Sequence, residues 1–177
     1  MGKFSEGLLN DEAILSNLHI CDGETILDAG CGNGYMAKKF SELVGKTGKI
    51  YALDTDRGSI DNLKKEVEKT NIEAFVGDIS KPTELEASSI DLVYLSTVFH
   101  IFTQHQVEGF VTEIKRILKP NARLAIVNIN KEETPFGPPL EIRSSPEELR
   151  QKVPLVPKML IEVSKHFYMQ VFENALN

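Results

Sequence analysis

Thr25-Ile26-Leu27-Asp28-Ala29-Gly30-Cys31-Gly32-Asn33-Gly34 carries a short apolar run into an acid and three alternating glycines, at the start of an amphipathic segment. An apolar strand ending in glycines lets the backbone turn tightly and come close to a ligand. It also aims the N–H groups of the next helix at that ligand. The stretch therefore marks a cofactor site at a strand-to-helix turn. The spacing departs from the dinucleotide fingerprint, because G-x-G-x-x-G begun at Gly30 requires glycine at position 35, which is Tyr35.

Two further runs end in acids. Lys49-Ile50-Tyr51-Ala52-Leu53-Asp54 stops twenty residues beyond Gly34, where nucleotide-binding α/β folds carry a ribose-binding carboxylate. A carboxylate accepts bonds from two vicinal hydroxyls and repels a phosphate, which suits a cofactor without one. Alternatively Asp54 caps the next helix, with Asp56 the rival for either role. Ile72-Glu73-Ala74-Phe75-Val76-Gly77-Asp78-Ile79 is a third strand with its own Gly-Asp step. Read as a turn, it has Asp78 or Ser80 capping a short helix before Pro82. Ser89-Ile90-Asp91-Leu92-Val93-Tyr94-Leu95-Ser96-Thr97 is nearly all apolar, as a parallel strand covered on both faces must be.

The D-x-G-x-G-x-G pattern after a strand, with these acids behind it, resembles motif I and its neighbours in the class I S-adenosylmethionine-dependent methyltransferases. That resemblance implies a three-layer α/β/α Rossmann-like sandwich with a mostly parallel seven-stranded sheet, its last strand antiparallel, and S-adenosyl-L-methionine as cofactor. It implies that the loop Gly30, Cys31, Gly32, Asn33 and Gly34 lies against the methionine part of the cofactor. Asp28 helps bind that part and shapes the loop. Asp54, with Thr55 beside it, belongs at the ribose, Gly77 and Asp78 at the adenine amino group, Ile79 against the ring, and Ser96 at the end of the fourth strand. Small-molecule members often carry a histidine after that strand, so His100 in Val98-Phe99-His100-Ile101-Phe102 is the candidate general base. A core histidine with one satisfied hydrogen bond is the alternative.

Beyond it, residues 106–119 repeat Val107, Phe110, Val111, Ile114, Ile117 and Leu118 at helical spacing, giving a crossover helix. Lys115, Arg116 and Lys119 fall in its last turns as charges suited to the negative end of the macrodipole, and Pro120-Asn121 stops it. The stretch 117–124 resembles the family's helix-to-fifth-strand junction, usually L-K-P-G-G, with Asn121 and Ala122 replacing the glycines. Asn121 is then expected to take a left-handed backbone and Ala122 not to. The fifth strand runs over 122–130. Residues 131–146, with Phe136-Gly137-Pro138-Pro139, form a loop on the side where open α/β sheets bind ligands, and so a lid or acceptor wall. Ser145 caps a helix with Pro146 in its first position. Runs over 159–164 and 167–172 close the chain as an antiparallel return, with His166 as a solvated turn residue and the last strand inserted beside the fifth.

At 177 residues and 41% apolar, the chain suits one methyltransferase domain. Residues 1–22 are an N-terminal helix region with a short helix over 11–18, residues 23–130 the cofactor-binding core, and residues 131–177 the acceptor-side loop, helix and hairpin. The formal net charge of −6 and the absence of basic runs disfavour nucleic acid as a partner. No eighteen-residue apolar stretch or apolar leader is present, so the expectation is a cytoplasmic protein with no membrane span. The opening Met1-Gly2-Lys3-Phe4-Ser5-Glu6 resembles a myristoylation signal but has Glu6 where serine or threonine is required. The two thiols, Cys21 and Cys31, have no metal-binding spacing, so no metal is expected, and Cys31 reads as a small loop residue rather than a nucleophile. Two cysteines also fit an arsenite methyltransferase poorly.

These readings converge on methyl transfer to a small-molecule acceptor, of the type seen in ubiquinone and menaquinone biosynthesis. A protein or RNA methyltransferase and a non-catalytic S-adenosylmethionine-binding regulatory module are the alternatives, with a nicotinamide dehydrogenase behind them.

Overall fold

A computed structural model describes residues 7–175; the N-terminal myristoylation-like motif lies outside them. The elements are α1 (Asp11–Leu18), β1 (Thr25–Ala29), α2 (Tyr35–Val44), β2 (Lys49–Asp54), α3 (Arg57–Glu66), β3 (Ile72–Val76), β4 (Ile90–Ser96), α4 (Gln104–Ile117), β5 (Leu118–Ile129), α5 (Pro146–Lys152), β6 (Val156–Ser164) and β7 (Phe167–Glu173). The seven strands form one sheet in the order β3-β2-β1-β4-β5-β7-β6. β1 to β5 are parallel, and β7 runs antiparallel between β5 and β6. The expected Rossmann-like sheet with its inserted last strand is thus present.

Burial on both faces follows from near-continuous apolar strands. Ile14 and Leu18 of α1, Phe40 and Val44 of α2 and Ile60 and Leu63 of α3 pack on one face. Phe110, Ile114 and Ile117 of α4 and Leu149 of α5 pack on the other. β1 continues to β2 on one side and pairs with β4 on the other, so the connections diverge at the β1/β4 boundary, and a crevice opens beyond the carboxyl ends of these strands.

Several local readings change. α4 begins at Gln104, where Thr103 and Gln106 form a capping box, and ends at Ile117. Lys119 therefore lies beyond the helix, and its ammonium grips both carboxylate oxygens of Asp91 at 2.9 and 2.8 Å instead of capping helical carbonyls. β5 already starts at Leu118, because the chain pairs with Ile90 before and with Leu92 after a register shift. Asn121 takes φ 62° and Ala122 does not have positive φ. No helix forms before Pro82. Asp78 instead closes a turn by accepting from the Ser80 N–H at 2.9 Å and its hydroxyl at 2.6 Å. That segment lies so close to α4 that a Cβ on Gly109 would meet the Ser80 carbonyl oxygen at 2.1 Å. His166 is not a simple solvated turn residue: its Nδ1 lies 3.2 Å from Glu132, and its ring meets Phe136 edge-on.

Candidate functional site

The three motif glycines all carry positive φ, 75° at Gly30, 53° at Gly32 and 78° at Gly34, which is why the sequence alternates them. Gly30 also permits a close approach, since a Cβ there would stand 2.6 Å from Val98 Cγ2 in the loop after β4. The loop is tied to the end of β2: Gly30 and Cys31 donate to the Leu53 carbonyl at 2.7 and 3.0 Å, and Gly32 donates to Asp54 Oδ2 at 2.8 Å. Asp54 Oδ1 accepts from the Asp56 N–H at 2.9 Å. Asp56, not Asp54, is the residue that caps α3, by accepting from Ser59 N–H at 3.0 Å.

Beyond the carboxyl ends of β1 to β4 lies a cavity of about 1300 Å³. Asp28, Gly30, Cys31, Gly32, Asn33, Asp54, Thr55, Gly77, Asp78, Ile79, Ser96 and His100 all line it. Of the expected site residues only Gly34 does not. It is the N-cap of α2, and a Cβ there would stand 2.5 Å from Leu63 Cδ1, so its task is to let α2 approach α3. A second cavity of about 340 Å³ adjoins the first, and His100 and Phe102 line both. Its other walls include Phe99, Arg143, Gln151 and Lys152.

Asp28 and Tyr94 are ladder partners on β1 and β4. Asp28 Oδ2, the Tyr94 hydroxyl, Ser96 Oγ and His100 Nδ1 are all buried without a hydrogen-bond partner in the described structure, and all four residues line the larger cavity. Unpaired buried polar groups are rare and costly, so their collection around one cavity marks where a polar ligand completes the bonding. Burial pushes the Asp28 carboxyl up to about 7; the Ala37 N–H opposes the rise and the neighbouring Asp54 adds to it. Burial likewise raises the Cys31 thiol, with Asp28 and Asp54 adding to it, which makes it a poor nucleophile. Burial and then Arg143 lower His100, so its imidazole is neutral near pH 7.

Sequence reasoning missed Tyr94, Thr97 and Arg143. A tyrosine within an otherwise apolar central strand was a usable signal for the first. Thr97 lines the larger cavity with φ 58° and had no signal. The 131–146 segment does border the site, through Gly137 and Pro138 at the larger cavity and Arg143 at the smaller.

Comparison with known proteins decides the family. A family described as "Methyltransferase domain" matches residues 26–121, from β1 through the α4–β5 junction. The chain belongs to the methyltransferase-domain family. Its fold is similar to a crystal structure of a SAM-dependent methyltransferase from Aquifex aeolicus, at TM-score 0.84 and 27% identity over 98% of this chain and 95% of that one. Among curated relatives it is 33% identical over 129 residues to an uncharacterized methyltransferase of Schizosaccharomyces pombe, covering 72% of this chain and 46% of the relative. It is 26% identical over 116 residues to the 2-phytyl-1,4-naphtoquinone methyltransferase of Trichormus variabilis, covering 62% and 48%. The methyltransferase domain thus spans about half the length of the curated relatives it matches. It is of the class I, S-adenosylmethionine-dependent type. The donor set fits that cofactor: the orphaned Asp28 and Ser96 oxygens, the left-handed glycine loop and the Asp54 carboxylate surround one cavity. Among the described residues no helix is long and apolar enough to cross a membrane, and no cluster of His, Cys, Asp or Glu has the geometry to hold a metal ion.

Proposed function

We propose that this domain transfers a methyl group from S-adenosylmethionine to a small-molecule acceptor held in the smaller cavity. The observation carrying this reading is that the two cavities meet at His100 and Phe102, so that the second, at about 340 Å³, has room for a small acceptor directly beside the larger one. When bound, the cofactor supplies a methyl on a cationic sulfur, so that the new bond to carbon forms as the carbon–sulfur bond breaks.

The chain's own residues then have four tasks. The Gly30–Gly32 turn and Asp28 hold the methionine part. Asp54, already oriented by Gly32 and Asp56, offers its remaining lone pairs to the ribose hydroxyls. Asp78 accepts from Ser80 through Oδ1, and its Oδ2, with the exposed Lys81 ammonium 3.7 Å away, faces the adenine amino group, with Ile79 against the ring. Neutral His100, half-buried in the shared wall, accepts the acceptor's proton. Holding the two reactants in line and excluding water can supply roughly 7 to 11 kcal/mol of the barrier at the upper range.

The test is transfer of label from methyl-labelled S-adenosylmethionine into a cell extract, with products separated by size and by extraction into organic solvent. Label in a small extractable product supports the reading. Label on protein or RNA replaces it with the macromolecular alternative, and the exposed Ile101, Leu140 and Ile142 then become the docking lip to mutate. Cofactor binding with no transfer to any fraction favours a regulatory module. An Asp54→Ala variant should bind S-adenosylhomocysteine at least tenfold more weakly, equivalent to about 1.4 kcal/mol; binding at full strength refutes the ribose assignment.

A further inference from the structure

Arg143 is 6% exposed, yet no carboxylate lies within ion-pair distance of it among the described residues. Its guanidinium is spent on main-chain carbonyls: Nε donates to Pro138 at 2.8 Å, Nη1 to Asn130 at 3.2 Å and Glu132 at 2.7 Å, and Nη2 to Phe136 at 3.2 Å. Those bonds gather residues 130–138 around one side chain, and Gly137 takes φ 101° to fit against it. Carbonyl dipoles satisfy the donors of a buried cation but do not neutralise its charge, and Glu132 is the acid whose carboxylate feels it. The charge stands in the wall of the smaller cavity, which His100 also lines.

The groups that share His100's surroundings set the sign of the field. From the loop and α5, Lys131, Arg143 and Lys152 line the smaller cavity against Glu141 and Glu148, and Lys131 is already paired with Glu148 at 2.6 Å. Across the larger cavity stand Asp11, Asp28, Asp54, Asp56 and Asp78. The acids thus line the donor side and the surplus positive charge lines the acceptor side. Of these groups, Arg143 is the charge that acts on His100, disfavouring its protonated form beyond the effect of burial.

We infer that Arg143 determines which acceptor reacts: it fixes the 130–143 segment as the cavity wall and presents there a buried positive charge that favours an acceptor reacting as an anion, an O–H or C–H acid, over an amine. The inference rests on the proposed reading of the two cavities. In the step it supports, the acid's proton passes to His100, and the anion's electron pair forms the bond to the methyl carbon as the carbon–sulfur bond breaks. Neutral acceptor, neutral imidazole and cationic sulfonium become methylated acceptor, imidazolium and neutral thioether. A neutral amine attacks through its lone pair without first becoming an anion, so the positive charge has no anion to stabilise before attack.

The probe is 4-nitrophenol, whose anion is coloured, titrated spectroscopically on protein saturated with S-adenosylhomocysteine. Bound probe should ionise roughly tenfold or more readily than free probe, the size expected of one nearby opposite charge. Arg143→Met should abolish that shift and Arg143→Lys should retain most of it. In parallel, NMR should find His100 titrating below the ordinary imidazole value in the unmodified protein and rising in Arg143→Met. The inference is overturned if the probe fails to bind or ionises as in solution, if the shift survives Arg143→Met, or if His100 titrates at the ordinary imidazole value. If Arg143→Met does not fold, the unmodified protein and Arg143→Lys still decide the matter. Failure to bind S-adenosylhomocysteine would instead sink the underlying reading of the larger cavity.

Discussion

Asp28 should make the ligand-free protein less stable as pH rises, and Asp28→Asn should remove that dependence. The carboxyl is 3% exposed, accepts one bond from the Ala37 N–H, leaves Oδ2 unpaired and has Asp54 nearby. Its value in the folded protein is about 7, against an ordinary value of 3.8. The raised folded value means that between these limits the folded state holds a proton that the unfolded state has lost, so stability falls with rising pH across that window. About three units at 1.36 kcal/mol each gives a cost of order 4 kcal/mol, fully developed above pH 7. Asparagine keeps the acceptor for Ala37 but places an unpaired amide where Oδ2 was, at about 1 to 3 kcal/mol. The variant should therefore match or trail the native protein near pH 4 and exceed it by one to a few kcal/mol at pH 8. Urea unfolding of both proteins from pH 4 to 8 measures the difference, in which titrating groups not coupled to Asp28 cancel. Parallel curves would refute the reasoning. So would a variant that is more stable yet binds S-adenosylhomocysteine as tightly as before, since the destabilising charge would then have no ligand to serve.

Gly30→Ala and Gly34→Ala should separate site from scaffold. Each meets positive φ, at roughly 1 to 2 kcal/mol, and each crowds a neighbour, Val98 in one case and Leu63 in the other, at roughly 1 to 3 kcal/mol more. Both should unfold earlier in urea, but calorimetry should find S-adenosylhomocysteine affinity reduced at least tenfold only for Gly30→Ala; equal losses would contradict the division. Glu113→Ala should cost about 1 to 3 kcal/mol, because it leaves the Thr83 N–H and hydroxyl without the buried carboxylate that binds them, while the half-exposed Arg116 turns to water. Burial alone would raise Glu113, yet the bonds from Arg116 and Thr83 hold it below the usual carboxylate range, so its contribution is complete above that range and lost as pH falls through the lowered value. The native protein should accordingly lose, on acidification, an increment that the variant lacks; an equal acid response in both would count against it. Asn121→Gly should leave thermal stability nearly unchanged and Asn121→Ala should cost roughly 1 to 2 kcal/mol, the difference set by φ 62°; equal melting of the two would show that the turn does not constrain the chain.

The donor half of the site was legible because each of its steps is decided within a few residues. A strand that must turn into a helix at φ near 75° requires glycine, so Gly30 and Gly34 announce the turn before any partner is known. Asp54 and Gly77-Asp78 follow at the ends of the next apolar runs, and parallel pairing then brings the ends of β1, β2 and β3 side by side. The same locality let Asn121 be assigned a left-handed backbone from one side chain's tolerance. Where a residue's partner lay far along the chain, the reading failed. Lys119 looked like helix-end charge because the helical period ran past it, whereas Asp91, 28 residues earlier, holds it. Periodicity also could not show that the 77–89 connection forgoes a helix, since that depends on Gly109 letting the loop settle against α4.

The acceptor half resists the sequence for a related reason. Its walls are built by Arg143 reaching carbonyls from 5 to 13 residues away, and carbonyls carry no residue identity, so nothing in the letters 130–138 names their partner. Only burial exposes the pattern: a charged side chain enclosed to 6% within a proline-rich loop must have found its bonds in the main chain. The donor side is therefore written in residue types that backbone geometry demands, and the acceptor side in one charge whose surroundings give it meaning. A fold that keeps Asp28 buried at the larger cavity and Arg143 at the smaller accepts a stability cost at both, and the proposed reading of the two cavities accounts for both costs through ligands of opposite charge.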